Sequence, residues 1–311
     1  MDIESDILHS LDPRAKRSKF MLLAFLAIVF GVLNDFYFFP DETITISYIP
    51  ILLIAGYFCR WLFSCIFLSG LMETLLEAAS LVEFEAEIFL LRWVGYFAIA
   101  FVVRTLVNNS FKEKLDLFHF TLTLAESIDV RDNYTAFHSK NVAYYSYEIG
   151  KALKLSTKEC THLYIGGLLH DIGKIGVPEN VLNKPSRLTG EEFQVIKKHP
   201  DLGYKMLKHV PSFRKNSILD MVLYHHENYD GTGYPMGLKG KDIPLVARIM
   251  AVADAFEAMT SKRVYRETKD IQYALDELLN GKHSQFDPEI AAVFYELVRN
   301  EKVFVRGIDS L

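Results

Sequence analysis

Leu163-Tyr164-Ile165-Gly166-Gly167-Leu168-Leu169-His170-Asp171-Ile172-Gly173-Lys174-Ile175-Gly176 reads as an apolar helix that ends on a histidine and an aspartate. A buried helix does not end on two ionisable groups at no cost. They are paired, or they bind something. Working outward, the segments on either side also read as helices joined by polar loops. Ser156-Thr157-Lys158-Glu159 and Thr189-Gly190-Glu191-Glu192 have the form of capping boxes that start helices. Pro178, Pro200, Pro244 and Pro288 each sit where a helix can begin. No strand alternation is visible, so residues 129–311 are predicted to form an all-α domain.

The same stretch is the middle of a larger set. His138 lies in a helical pattern ahead of it, and His199 precedes Pro200. His225 and His226 are adjacent, and Asp254 sits in the apolar run Ile249 to Ala258. With His170 and Asp171 these make seven imidazole and carboxylate positions, most of them flanked by apolar helix. One such residue is ordinarily a satisfied core group, and one His-Asp pair arises by chance. Seven together point to metal. Mixed histidine and carboxylate ligands suit iron, manganese or zinc. Seven ligands are too many for one ion and suit two, with one carboxylate bridging. Two adjacent metals lower the pKa of a shared water and neutralise charge on a phosphoryl group, which points to phosphoester hydrolysis. Asn228-Tyr229-Asp230-Gly231-Thr232-Gly233-Tyr234-Pro235 follows the histidine pair as a tight turn and is expected at the rim of the site.

These residues resemble a known family. His170-Asp171-Ile172-Gly173-Lys174-Ile175-Gly176 is similar to the HD-superfamily phosphohydrolase signature. His225-His226-Glu227 through Gly233-Tyr234-Pro235 resembles HHExxDGxGYP, the signature of the HD-GYP subgroup. The resemblance covers about residues 125 to 300. It implies a phosphodiesterase that opens cyclic di-GMP to pGpG, with further cleavage to GMP slow. It implies His138, His170, Asp171 and Asp254 on a first metal and His199, His225 and His226 on a second, with Asp171 bridging. Iron or manganese is the implied metal. Members with a third metal carry a glutamate where this chain has Tyr134, so two metals are expected. Asp171 and Lys174 are the implied catalytic residues. Lys174, Tyr234, Arg263 and Arg266 are the implied substrate contacts. Other readings stand beside this one: hydrolysis of another nucleotide such as cyclic GMP-AMP, or a signalling module that binds without turnover.

The first 110 residues differ in kind. Half of the 311-residue chain is hydrophobic, and most of the excess lies here. Four apolar stretches run over about Phe20–Phe39, Thr43–Cys59, Trp61–Ala79 and Ile88–Val107. A helix needs about 20 residues to cross a bilayer core. Arg14, Lys16, Arg17, Lys19, Arg60, Lys112 and Lys114 fall on one side, and Asp41, Glu42, Glu83, Glu85 and Glu87 on the other. The basic side is cytoplasmic. Residues 1–110 are therefore read as a four-helix transmembrane segment of the bacterial inner membrane, with both termini and the catalytic domain inside. Glu73 and Glu77, one turn apart, are read as reaching headgroup water at the outer end of the third span. Residues 111–128, with Phe111, Leu115, Phe118, Leu122 and Ala125 at helical spacing, form a connecting helix. It either packs on its own domain or pairs with a second copy, making the chain a homodimer. The net charge of -5 argues against a nucleic-acid polymer as partner. Cys59, Cys65 and Cys160 give neither a disulfide framework nor a zinc spacing and are read as packing residues.

Overall fold

The computed structural model describes residues 3–12, 53, 56–58, 61–79, 86–132, 137–214, 216–261 and 270–305. The described residues are helical and contain no strand; one isolated bridge joins Lys282 and Phe286. The helices are α1 (Ile3–Leu11), α2 (Leu62–Ala79), α3 (Ala86–Arg131), α4 (His138–Ala152) and α5 (Thr157–Leu169). A 3-10 turn, Ile172–Gly176, follows. Then come α6 (Glu179–Leu182), α7 (Gly190–Ile196), α8 (His199–Leu207), α9 (Pro211–Arg214), α10 (Ile218–Tyr224), α11 (Leu245–Thr260), α12 (Ile271–Asn280) and α13 (Pro288–Arg299). The chain divides into two compact units, Met1–Asp116 and Leu117–Leu311.

In the first unit the expectation of four spans meets a different picture. The first stretch, and all but residues 53 and 56–58 of the second, lie outside the described residues. The third forms α2, but its apolar part runs only from Leu62 to Leu71, because Glu73 and Glu77 follow. Among the described residues one helix, α3, is long and apolar enough to cross a membrane. The fourth stretch and the connector are a single 46-residue helix, since nothing between Val107 and Phe111 breaks the backbone. Trp93 donates to the Ser69 hydroxyl across α2 and α3 at 3.2 Å. Many large apolar side chains here face outward, among them Trp61, Phe63, Phe67, Leu91 and Leu106.

In the second unit the capping boxes form as the sequence implies. Ser156 and Glu159 close the start of α5, and Thr189 and Glu192 the start of α7. Pro178 and Pro244 stand at the N-caps of α6 and α11, and Pro200 and Pro288 in the first turns of α8 and α13. Phe118, Thr121, Ala125 and Ile128, a stripe on the C-terminal part of α3, are buried, so the connector packs on its own domain. The core is built on Tyr145, Phe256 and Phe294, whose ring centroids lie 4.9–5.7 Å apart. Two glycines set the approach of elements. A side chain at Gly167 would lie 2.5 Å from Ala143 Cα, where α5 crosses α4. One at Gly173 would run into the His199 carbonyl oxygen, where the 3-10 turn crosses α8. These contacts bring the ends of α4, α5 and α8 to one place. Cys65 and Cys160 are buried and free, while Cys59 lies outside the described residues.

Candidate metal centre

Every histidine of the centre stands at a helix end or just beyond one. His138 opens α4, His170 follows α5, His199 opens α8, and His225 follows α10 with His226 next to it. Four of the five have Nδ1 occupied. His170 Nδ1 meets the Gly167 carbonyl at 2.7 Å, and His199 Nδ1 that of Ile196 at 2.8 Å. His225 Nδ1 meets the carbonyls of Val222 and Met221 at 3.0 and 3.1 Å. His138 Nδ1 meets Glu257 Oε2. A carbonyl only accepts, so each of the first three imidazoles donates from Nδ1 and keeps its lone pair on Nε2. Glu257 imposes the same tautomer on His138.

The Nε2 atoms converge on Asp171. Its Oδ2 lies 3.1 Å from His170 Nε2 and 3.7 Å from His138 Nε2. Its Oδ1 lies 3.1 Å from His199 Nε2 and 3.9 Å from His225 Nε2. Asp254 Oδ1 lies 3.6 and 3.8 Å from His138 and His170 Nε2. Two groups result, His138 with His170 and Asp171, and Asp171 with His199, His225 and His226. In each, ligand atoms lie within 4.8 Å of one another.

The arrangement fits metal ions on its own chemistry. His199 and His225 bring their Nε2 atoms to 3.2 Å, lone pair against lone pair, which is repulsive without a cation between them. His170 Nε2 is buried and makes no well-aligned hydrogen bond. Burial and neighbouring imidazoles push the His225 pKa well down, and burial with His199 beside it pushes His226 to about 3. Both are therefore neutral near pH 7, the state that binds metal. Burial would raise the Asp171 pKa, but the His170 ring in its protonated, metal-free form and the Lys174 ammonium outweigh it and hold the carboxylate well below its usual range.

Lys174 is buried, with Nζ 2.7 Å from both Asp171 Oδ2 and Asp132 Oδ2. Arg131 donates to the Lys174 and Val177 carbonyls and so fixes the turn that carries it. Tyr234 stacks on His226 with centroids 4.8 Å apart. Its loop is anchored by Glu227, which accepts the backbone N–H groups of Met236, Gly237 and Leu238 at 2.7–3.1 Å. Gly231 supplies the left-handed turn, with φ +89°. Arg263, Arg266 and Tyr134 lie outside the described residues. Sequence reasoning missed three groups: Glu257, Asp132 and Arg131. The legible signal for Glu257 was its place three residues after Asp254, on the same helical face.

A family model described as an HD domain matches residues 123–290. The chain belongs to the HD domain family. A cyclic di-GMP phosphodiesterase of Thermotoga maritima is 34% identical over 198 residues, 63% of this chain and 54% of the relative. A cyclic di-GMP phosphodiesterase response regulator of Xanthomonas campestris is 40% identical over 169 residues, 53% of this chain and 44% of the relative. A 3'3'-cGAMP-specific phosphodiesterase of Vibrio cholerae is 37% identical over 165 residues, 53% of this chain and 35% of the relative. The chain thus spans about half or less of the length of these relatives.

Proposed function

We propose that this chain is a membrane-anchored, metal-dependent phosphodiesterase of the HD-GYP subgroup that opens cyclic di-GMP to pGpG. The observation that carries the reading is Asp171, whose two oxygens each face a separate pair of imidazole Nε2 atoms. His138, His170, Asp171 and Asp254 would hold one ion, and Asp171, His199, His225 and His226 the other, with iron or manganese suited to such ligands. When bound, the two ions would lower the pKa of a water and neutralise charge on the phosphoryl group. Lys174 sits beside Asp171 and would donate to a phosphate oxygen as negative charge builds in the transition state. Asp132 holds that ammonium from its other side. Tyr234 covers the flank at His226, and Arg263 and Arg266 are retained as substrate contacts. The outward apolar side chains of the first unit and the apolar part of α3 support the membrane anchor. The four-span layout and a homodimer, formed through the part of the connector left exposed, belong to the same proposal.

A second substrate is favoured by the cyclic GMP-AMP-specific names of several relatives. Full-length protein in detergent, purified without air and loaded with iron or manganese, distinguishes the two. Two metals per chain and release of pGpG, both lost in Asp171→Ala, are expected. Faster turnover of cyclic GMP-AMP would move the assignment to that substrate. Metal binding with neither nucleotide cleaved would sink the phosphodiesterase reading.

A further inference from the structure

Lys197 caps the C-terminal end of α7, two residues before His199. Its ammonium lies 5.0 Å from the Phe193 ring centroid and 4.9 Å from that of Tyr234. Tyr234 in turn stacks on His226, so the cation stands one ring away from the metal centre. Among the described residues no carboxylate lies within ion-pairing distance of it. Lys174 is committed to Asp171 and Asp132, and Lys184 to Glu192, while Lys198, next along the chain, is exposed. Two aromatic faces hold an ammonium in position, but they accept none of its three N–H donors in line. A cation so placed is fixed in direction and still seeks acceptors. Phe193 beside it is 44% exposed, so the place opens to solvent and not into the core.

The substrate class makes a demand that this group meets. A cyclic dinucleotide carries two phosphodiesters closed into one ring. Only one can lie at Asp171 during attack, and the other must rest beside the centre with its charge unmet by the metals. We propose that Lys197, clasped between Phe193 and Tyr234, is the subsite for the second, uncleaved phosphate of the substrate. This rests on the phosphodiesterase reading above and deepens it. The tyrosine of the signature loop then serves twice, carrying the cation on one side while its own ring braces His226. Lys197 is a binding residue here and takes no part in bond cleavage.

The test uses full-length, metal-loaded protein with Lys197→Met and Lys197→Arg. Methionine keeps an apolar chain against both rings and loses only the charge. The substrates are cyclic di-GMP and bis(p-nitrophenyl) phosphate, a diester with a single phosphate. Lys197→Met is expected to raise KM for cyclic di-GMP roughly tenfold, the size of one rim charge contact, with kcat changed less than about twofold. The loss in kcat/KM on bis(p-nitrophenyl) phosphate should be several-fold smaller, and Lys197→Arg should restore most of the binding. The wild-type KM should also rise more steeply with salt than that of Lys197→Met. Equal losses on both substrates would mean that Lys197 is only a clamp between α7 and the loop. An unchanged KM would remove the subsite outright. If wild-type protein cleaves the single diester but no cyclic dinucleotide, the substrate reading itself is wrong and the subsite falls with it.

Discussion

His138 differs from the other three pinned histidines in what pins it. Main-chain carbonyls take the Nδ1–H of His170, His199 and His225, and no substitution can remove those. His138 depends on the buried carboxylate of Glu257, which is itself held by Ser261 Oγ and by Asn141 Nδ2 at 3.4 Å. A carboxylate partner fixes the tautomer and raises the basicity of the ligating nitrogen, and losing such a partner costs about 10–100-fold in metal affinity. Glu257→Gln is therefore expected to lower metal content from two ions per chain toward one after dialysis, read by elemental analysis. Full retention of both ions would show that Glu257 does not support the centre. At this scale the site was largely legible, because imidazoles and carboxylates beside apolar runs stand out in a sequence. Glu257 and Asp132 were not, since each is one more acidic residue until the fold shows what it touches.

Among the elements, the 3-10 turn after Asp171 is the most constrained. Gly173 lies against the His199 carbonyl and 2.6 Å, at its missing side-chain position, from the Gly203 nitrogen. Gly173→Ala must push backbone apart, and overpacking of this kind costs about 1–3 kcal/mol. Because the backbone displaced belongs to His199, metal affinity should fall together with Tm. A Tm shift with metal binding intact would mean that the turn yields without moving the ligand. The start of α5 offers a pH test. Hydrogen bonds from Ser156 to Glu159 hold that carboxyl below its usual pKa. A depressed folded-state pKa stabilises above the unfolded-state value, and the effect is lost as pH falls through the folded value. Ser156→Ala should thus lower Tm more near neutrality than near about pH 3. An equal shift at both would assign the cap to the hydroxyl alone. Helix starts were readable from Ser, Thr and Pro because capping is local chemistry. The union of the fourth apolar stretch with the connector was not, because a continuing helix leaves no mark where the outward apolar sequence of the first unit gives way to sequence that packs on the second.

For the whole molecule, the outward Phe63, Phe67, Leu91 and Leu106 of the first unit make a prediction of location. Expressed in bacteria, the full chain should sediment with membranes and resist alkaline carbonate extraction. Release by carbonate would mean that these side chains dock on protein instead of lipid. The sequence by itself determined the all-helical class of the second unit, most of its helix starts and the candidate ligands that the fold gathers around Asp171. It could do so because helix capping and apolar periodicity act over a few residues, and because ionisable groups next to buried helix are rare enough to notice. Only the tertiary structure decided which oxygen of Asp171 faces which histidines, what holds each ring, and where the ammonium of Lys197 rests. Those are relations between residues distant along the chain. They depend on close crossings such as Gly167 on Ala143 and Gly173 on His199, and no local pattern encodes which glycine will meet which backbone.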